Sequence, residues 1–203
     1  MKFVLFVEGH TEQKAVPNFI KRWLDPRLNN PVGVRVVRFQ GWAELVKDAP
    51  RKATMYLQSS DVIAVISLLD MYGPTIYPPK SNSAAERFAW GKKHLEQKVN
   101  HPKYRHFFAV HESEAWLLSN PQLFPQNIQA LIPAAPPETI NFNEPPAKLL
   151  DRVYEHETRH HYKKVTYGKD LFRQLDPNTA YQKCPYLRAM LDEMLALAKA
   201  AGV

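Results

Sequence analysis

Residues 62–70 read VIAVISLLD. A run of this length without a charge and without polar alternation is the pattern of a strand buried on both faces. Such strands belong to parallel sheets covered by helices. The run stops on a carboxylate, Asp70. Working outward, Lys2–Val7 (KFVLFV), Val34–Phe39 (VRVVRF) and Tyr104–Val110 (YRHFFAV) also read as strands. Between them lie helical patterns. Phe19, Ile20, Trp23 and Leu24 form an apolar stripe after Thr11, which is expected to be the N-cap with Glu12 in the first turn. Pro17 predicts a kink or a later start for that helix. Trp42–Leu57 is the second helix, with Pro50 expected to interrupt it, and Ala84–Val99 the third. HESEAWLL, 111–118, predicts a short helix after the fourth strand. Strand and helix in strict alternation predict an α/β fold with a mostly parallel sheet flanked by helices.

From about Pro121 the character changes. The stretch up to Pro146 is proline-dense and is expected to be extended or looped. Only helical segments follow, near Ala147–Glu157, Lys169–Leu175 and Leu187–Ala200. The expected organisation is an α/β core over residues 1–120. Residues 121–203 then form a proline-rich connection and a helical C-terminal subdomain packed on that core.

The chain has 203 residues, 45% hydrophobic and 23% charged, which is ordinary globular composition. No apolar run approaches the roughly 20 residues of a membrane span, and MKFVLFV is too short for a secretory signal. With one cysteine, Cys184, no internal disulfide forms, which predicts a soluble, cytoplasmic protein. Homo-oligomerisation stays open. The formal charge of +7 favours polyanionic partners, nucleic acid in particular. Lys80, Arg87, Lys92, Lys93, Lys98, Lys103 and Arg105 face only Glu86 and Glu96 in the same segment. A second cluster holds Arg159, Lys163, Lys164 and Lys169 with His160 and His161. Each cluster reads either as a solvated helix face or as a phosphate-backbone surface.

Sites in open parallel sheets form outside the C-terminal ends of the strands. The first strand ends at Glu8, the third at Asp70 and the fourth at His111-Glu112, with Glu114 two residues on. In a parallel arrangement Glu8, Asp70 and Glu112 share one rim. Carboxylates so gathered repel unless a proton or cation intervenes, and hard divalent ions take oxygen ligands. Gly9 is expected to let the backbone turn directly after Glu8. Glu112 and Glu114, two apart on a helix, are expected to point to nearly opposite sides, with His111 and Glu114 sharing a face.

The pieces VEGHTE (7–12), LLDMYG (68–73), VHESEAWLL (110–118), PPAKLL (145–150), the YKK and YGKDL region (162–171) and the segment from Cys184 resemble the TOPRIM-like domain-of-unknown-function family 4276. The resemblance spans nearly the whole chain. It implies a metal-binding TOPRIM-like core using Mg²⁺ or Mn²⁺ and a nuclease acting on DNA or RNA. Glu8 maps to the acid or base after the first strand, and Asp70 to the first aspartate of the DxD pair. The second aspartate is replaced by Tyr72. Glu112 or Glu114 then supplies a missing ligand, or the site is weakened and the chain is a non-catalytic binding subunit. Glu8, Asp70, Glu112 and Glu114 are thus the candidate metal ligands. Lys148 and Lys164 are candidates for stabilising charge at a scissile phosphate, beside the plain reading of solvated lysines. The resemblance also implies a P-loop ATPase partner in a bacterial anti-phage system. This chain has no GxxxxGK[ST] loop of its own.

Residues 156–160 read HETRH and satisfy HExxH. On a helix, His156 and His160 would share a face for Zn²⁺, with Glu157 as the base of a metalloprotease. The polar neighbours Glu155, Thr158, Arg159 and His161 speak against the buried setting such a site needs. Trp116, Leu117 and Leu118 read as core. Tyr72 and Tyr77 either stack on bases or pack the loop that carries them.

Overall fold

The computed structural model describes residues 1–81, 83–139 and 144–203; for Val165 it describes the backbone only. Asn82 of the loop after Asp70 and residues 140–143 of the proline-dense connection lie outside the described residues. The strands β1 (Lys2–Val7), β2 (Gly33–Arg38), β3 (Val62–Asp70) and β4 (Tyr104–Ala109) form one sheet in the order β2-β1-β3-β4. Every pairing is parallel. The helices α1 (His10–Leu24), α2 (Trp42–Leu57) and α3 (Ala84–Val99) make the crossovers.

The strand residues divide between two cores. Phe3, Leu5 and Val7 of β1 join one, and Val4 and Phe6 join the other, as the two-residue period of a strand dictates. α1 packs on the first face through Val16, Phe19, Ile20 and Trp23. α2 packs on the second through Leu45, Val46, Ala49 and Ala53. The chain therefore winds outward in opposite directions from β1 and from β3. The crevice between their C-terminal ends is the switch point where ligands bind in such sheets.

The remaining helices are α4 (Glu114–Leu117), α5 (Gln126–Gln129), α6 (Pro146–Thr158), α7 (Lys169–Gln174), α8 (Pro177–Lys183) and α9 (Pro185–Ala200). They share the core of the α1 face through residues such as Leu150, Val153, Phe172, Leu187 and Met194. The rings of Phe19, Trp116 and Phe172 meet at centroid distances of 5.9–6.2 Å and tie α1, α4 and α7 together.

Several local expectations are corrected. α1 begins at His10 with Gly9 as its extended N-cap, so Thr11 is not the cap. Thr11 is buried inside the first turn, where its methyl lies 3.4 Å from the place a Cβ would take at Gly168. Pro17 causes no later start, and α2 runs through Pro50, because each helix has an apolar face anchored on the sheet on both sides of its proline. The predicted helix over 111–118 shrinks to Glu114–Leu117. His111 has φ +24°, a conformation no helix contains.

Replacing Trp116 by Ala removes one of the largest fully buried side chains. The expected loss is about 3–5 kcal/mol of unfolding free energy, read as a lower urea midpoint by far-ultraviolet circular dichroism. An unchanged midpoint would contradict its place in the core.

Candidate metal centre

The site grows from the ends of β1, β3 and β4. Glu8 follows β1, and its Oε1 accepts the backbone N–H of Asp70 at 3.2 Å, which closes the β1–β3 crevice. Asp70 ends β3 and accepts the N–H of Ser113 at 3.0 Å. Ser113 lies in the loop between β4 and α4. Its hydroxyl donates to Oε1 of Glu12 at 2.7 Å, so one serine joins the first helix to the third strand.

Glu112 precedes α4, accepts the N–H of Ala147 at 2.8 Å in the first turn of α6, and meets Lys164 Nζ at 2.9 Å. Glu114 lies 3.3 Å from the same ammonium. The two carboxylates therefore converge instead of diverging, because Glu112 is not on the helix that carries Glu114. Oxygens of Asp70, Glu112 and Glu114 lie within 4.8 Å of one another. Glu8 is outside that trio and adjoins it through the Asp70 backbone.

Lys164 opens a short π-helical turn, Lys164–Gly168. Turns of this kind add a residue and re-aim side chains, often at functional sites. Gly168 is needed at its end, since a Cβ there would stand 2.9 Å from the Tyr162 hydroxyl. Gly9 also answers to space: its φ of −110° suits any residue, but a Cβ would fall 2.0 Å from the Glu12 carboxylate.

The electrostatics follow from burial. Glu114 is fully buried, and its Oε1 has no hydrogen-bond partner within the protein. Burial, with Glu12 and Glu112 nearby, lifts its pKa to about 7 against the pull of Lys164. Burial and Glu12 lift Glu8 to about 7, although the Asp70 N–H opposes it. Asp70 is pushed well above the usual carboxylate range by burial and by Glu12, Glu114 and Glu8. Burial pulls Lys164 down, but Glu114, Asp70 and Glu112 outweigh it and keep the ammonium charged far above neutral pH. A buried oxygen without a partner and an all-carboxylate donor set short of positive charge fit a hard divalent ion such as Mg²⁺ or Mn²⁺. They do not fit a soft one.

Lys148 and the HETRH motif fall elsewhere. Lys148 is exposed, and its Nζ sits 6.0 Å from the centroid of the Tyr72 ring. HETRH is broken as a zinc motif: α6 stops at Thr158, Arg159 is left-handed at φ 57°, and His160 lies off the helix that carries His156. His156 is exposed and pairs with its neighbour Glu157. Sequence reading missed Glu12 and Ser113. The four-residue interval from Glu8 to Glu12 was the available signal, since Gly9 starts a helix and one turn returns Glu12 toward Glu8.

The sequence profile of a family described as "Domain of unknown function (DUF4276)" matches residues 7–195, and the chain belongs to that family. No curated protein sequence matches the chain. Among solved structures it is similar to the C-terminal region of the Burkholderia pseudomallei OLD protein, with 17% identity, 98% of both chains covered and a TM-score of 0.50. It is also similar to the C-terminal region of the Xanthomonas campestris pv. campestris OLD protein, with 20% identity, 98% and 95% of the two chains covered and a TM-score of 0.46. The fold is TOPRIM-like α/β. Among the described residues, no helix is long and apolar enough to cross a membrane.

Glu8 and Glu114 each hold a proton up to about pH 7, against about 4.5 in the unfolded chain. Their protonated forms favour the fold, a contribution complete below about pH 4.5 and lost as pH rises through about 7. A divalent ion held by Asp70, Glu112 and Glu114 must displace the Glu114 proton. Saturating Mg²⁺ or Mn²⁺ should therefore raise Tm by about 5–10 °C at pH 8 and by clearly less at pH 6, read by differential scanning fluorimetry. An equal rise at both pH values would locate the ion at some other site.

Proposed function

We propose that this member of the DUF4276 family is a divalent-metal-dependent nuclease that hydrolyses phosphodiester bonds in DNA or RNA. The observation that carries the reading is the approach of Asp70, Glu112 and Glu114 oxygens to within 4.8 Å of one another beside the sheet's switch point. Those three residues would hold Mg²⁺ or Mn²⁺. The bound ion supplies activation of water and stabilisation of charge on the phosphate oxygens.

The protein's own groups have separate roles. Glu8 adjoins the metal ligands through the Asp70 N–H and has a pKa of about 7, which suits a proton donor or acceptor at neutral pH. Lys164 is a permanent cation against Glu112 and Glu114, and it offsets charge that builds on a phosphate there. Ser113 fixes Asp70 and Glu12 relative to one another and acts by positioning them. Lys148 and the exposed Lys163 and Lys169 contact the backbone phosphates. The acids come from residues 1–120 and Lys164 from residues 121–203, so the proposed division of the chain assembles one site from both parts.

The family resemblance adds a P-loop ATPase partner and an anti-phage role to this reading, and the lone cysteine adds a cytoplasmic setting. With no phosphate-binding GxxxxGK[ST] loop in this chain, nucleotide hydrolysis would belong to the partner.

Incubation with single-stranded and duplex DNA and RNA in Mn²⁺ or Mg²⁺ should give cleavage that chelation abolishes. Asp70→Asn and Glu114→Gln should each lower the rate at least about 10²-fold, and Glu8→Gln about 10²–10⁴-fold. Cleavage unaffected by Asp70→Asn would refute the assignment. Salt-sensitive binding with no turnover on any substrate would leave a non-catalytic binding subunit instead.

A further inference from the structure

Large apolar side chains exposed among the described residues are few: Met1, Met55, Leu131 and two tyrosines, Tyr72 and Tyr167, each 38% exposed. The tyrosines stand out by position. Tyr72 follows Asp70 by two residues, and its N–H donates to the carbonyl of His111 at 2.8 Å, which sets it against the loop that carries Glu112. Tyr167 follows Lys164 by three residues in the same π-helical turn. Both tyrosines thus belong to the segments that build the carboxylate cluster.

Tyr72 in particular differs from a packed tyrosine. Tyr77, on the same loop as Tyr72, lies half-buried among Trp90 and Phe108 and donates to the Met71 carbonyl, which makes it a packing residue. Among the described residues no aromatic ring encloses Tyr72, and its neighbour Gly73 has φ +110° with open space where a Cβ would project. The Lys148 ammonium lies 6.0 Å from the Tyr72 ring centroid. Tyr167 lies nearly parallel to Tyr154, 5.7 Å between centroids at 18°, and Tyr162 stands 6.4 Å away behind the pair. It is a propped ring in a residue that is 38% exposed. Exposed Arg159, Lys163 and Lys169 flank it in sequence.

We propose that Tyr72 and Tyr167 are base-stacking contacts on either segment of the site, and that the ligand is a single-stranded polynucleotide whose unpaired bases they hold. Exposed rings with adjacent cations are how proteins bind single strands without reading sequence. In a duplex the base faces are already stacked and unavailable to such rings. Charge complementarity supports the occupant, since the chain carries +7 and the basic residues named above accompany both rings. The inference rests on the nuclease reading for the chemistry at the cluster and names the substrate class of that site.

The test is fluorescence anisotropy of labelled oligo-dT, oligo-U and a mixed-sequence duplex of equal length, in EDTA at low salt, so that no cleavage occurs. Wild type should bind either single strand at least tenfold more tightly than duplex. Tyr72→Ala and Tyr167→Ala should each weaken single-strand binding on the order of tenfold, with duplex binding little changed. Tyr72→Phe, which keeps the ring, should stay near wild type, and circular dichroism should show all variants folded. Equal affinity for duplex, no measurable single-strand binding, or alanine variants that bind like wild type would each overturn the proposal. The two readings separate cleanly. Ring-dependent binding with no cleavage on any substrate would sink the nuclease and leave this surface standing. Cleavage lost in Asp70→Asn, together with binding indifferent to both tyrosines, would do the reverse.

Discussion

Five carboxylates, Glu8, Glu12, Asp70, Glu112 and Glu114, gather at one end of a parallel sheet around a single ammonium, Lys164. Two unit charges about 5 Å apart repel by roughly 3 kcal/mol at an effective dielectric near 20. The group therefore cannot be fully ionised without a partner. Protons supply part of the relief, as the raised pKa values of Glu8 and Glu114 record, and Lys164 supplies another part. The same imbalance leaves Asp70, Glu112 and Glu114 able to hold a divalent cation.

The rest of the structure serves to hold that arrangement. The two central strands, β1 and β3, bury apolar side chains on both faces, so the middle of the sheet is stable before any acid is considered. Its order places β1 beside β3 and β3 beside β4, and the acids follow those strand ends. Backbone N–H groups of Asp70, Ser113 and Ala147 then fix Glu8, Asp70 and Glu112 in turn. Each is a donor that cannot move without moving its element, which is how a cluster of like charge keeps one geometry. The C-terminal helices bring the counter-charge: α6 aims the Ala147 N–H at Glu112, and the π-helical turn before α7 points Lys164 inward.

The strands and the three crossover helices were legible because their signals are local. An uncharged run such as 62–69 and the stripe of Phe19, Ile20, Trp23 and Leu24 depend on neighbours in sequence. The approach of β1, β3 and β4 ends also follows from chain order once the strands are parallel. Harder to read were features set by a few degrees of backbone. The positive-φ residue His111 delays a helix that the pattern would have begun there, and the left-handed Arg159 ends one that it would have continued. One brings Glu112 round to join Glu114, and the other removes His160 from the face of His156. Glu12 looked like a routine first-turn acid, since nothing in its own neighbourhood announces a serine 101 residues away.

By itself the sequence determined the α/β alternation, the rim on which acids would lie and the basic character of the chain, because hydrophobic period and net charge survive without knowledge of contacts. Tertiary structure alone decided which side chains meet: Glu114 as well as Glu112 near Asp70, Lys164 and not Lys148 against them, Tyr72 outward and Tyr77 inward. Those choices turn on distances of an ångström or two between residues far apart in the chain. Close packing of the whole core fixes such distances, and no single segment contains them.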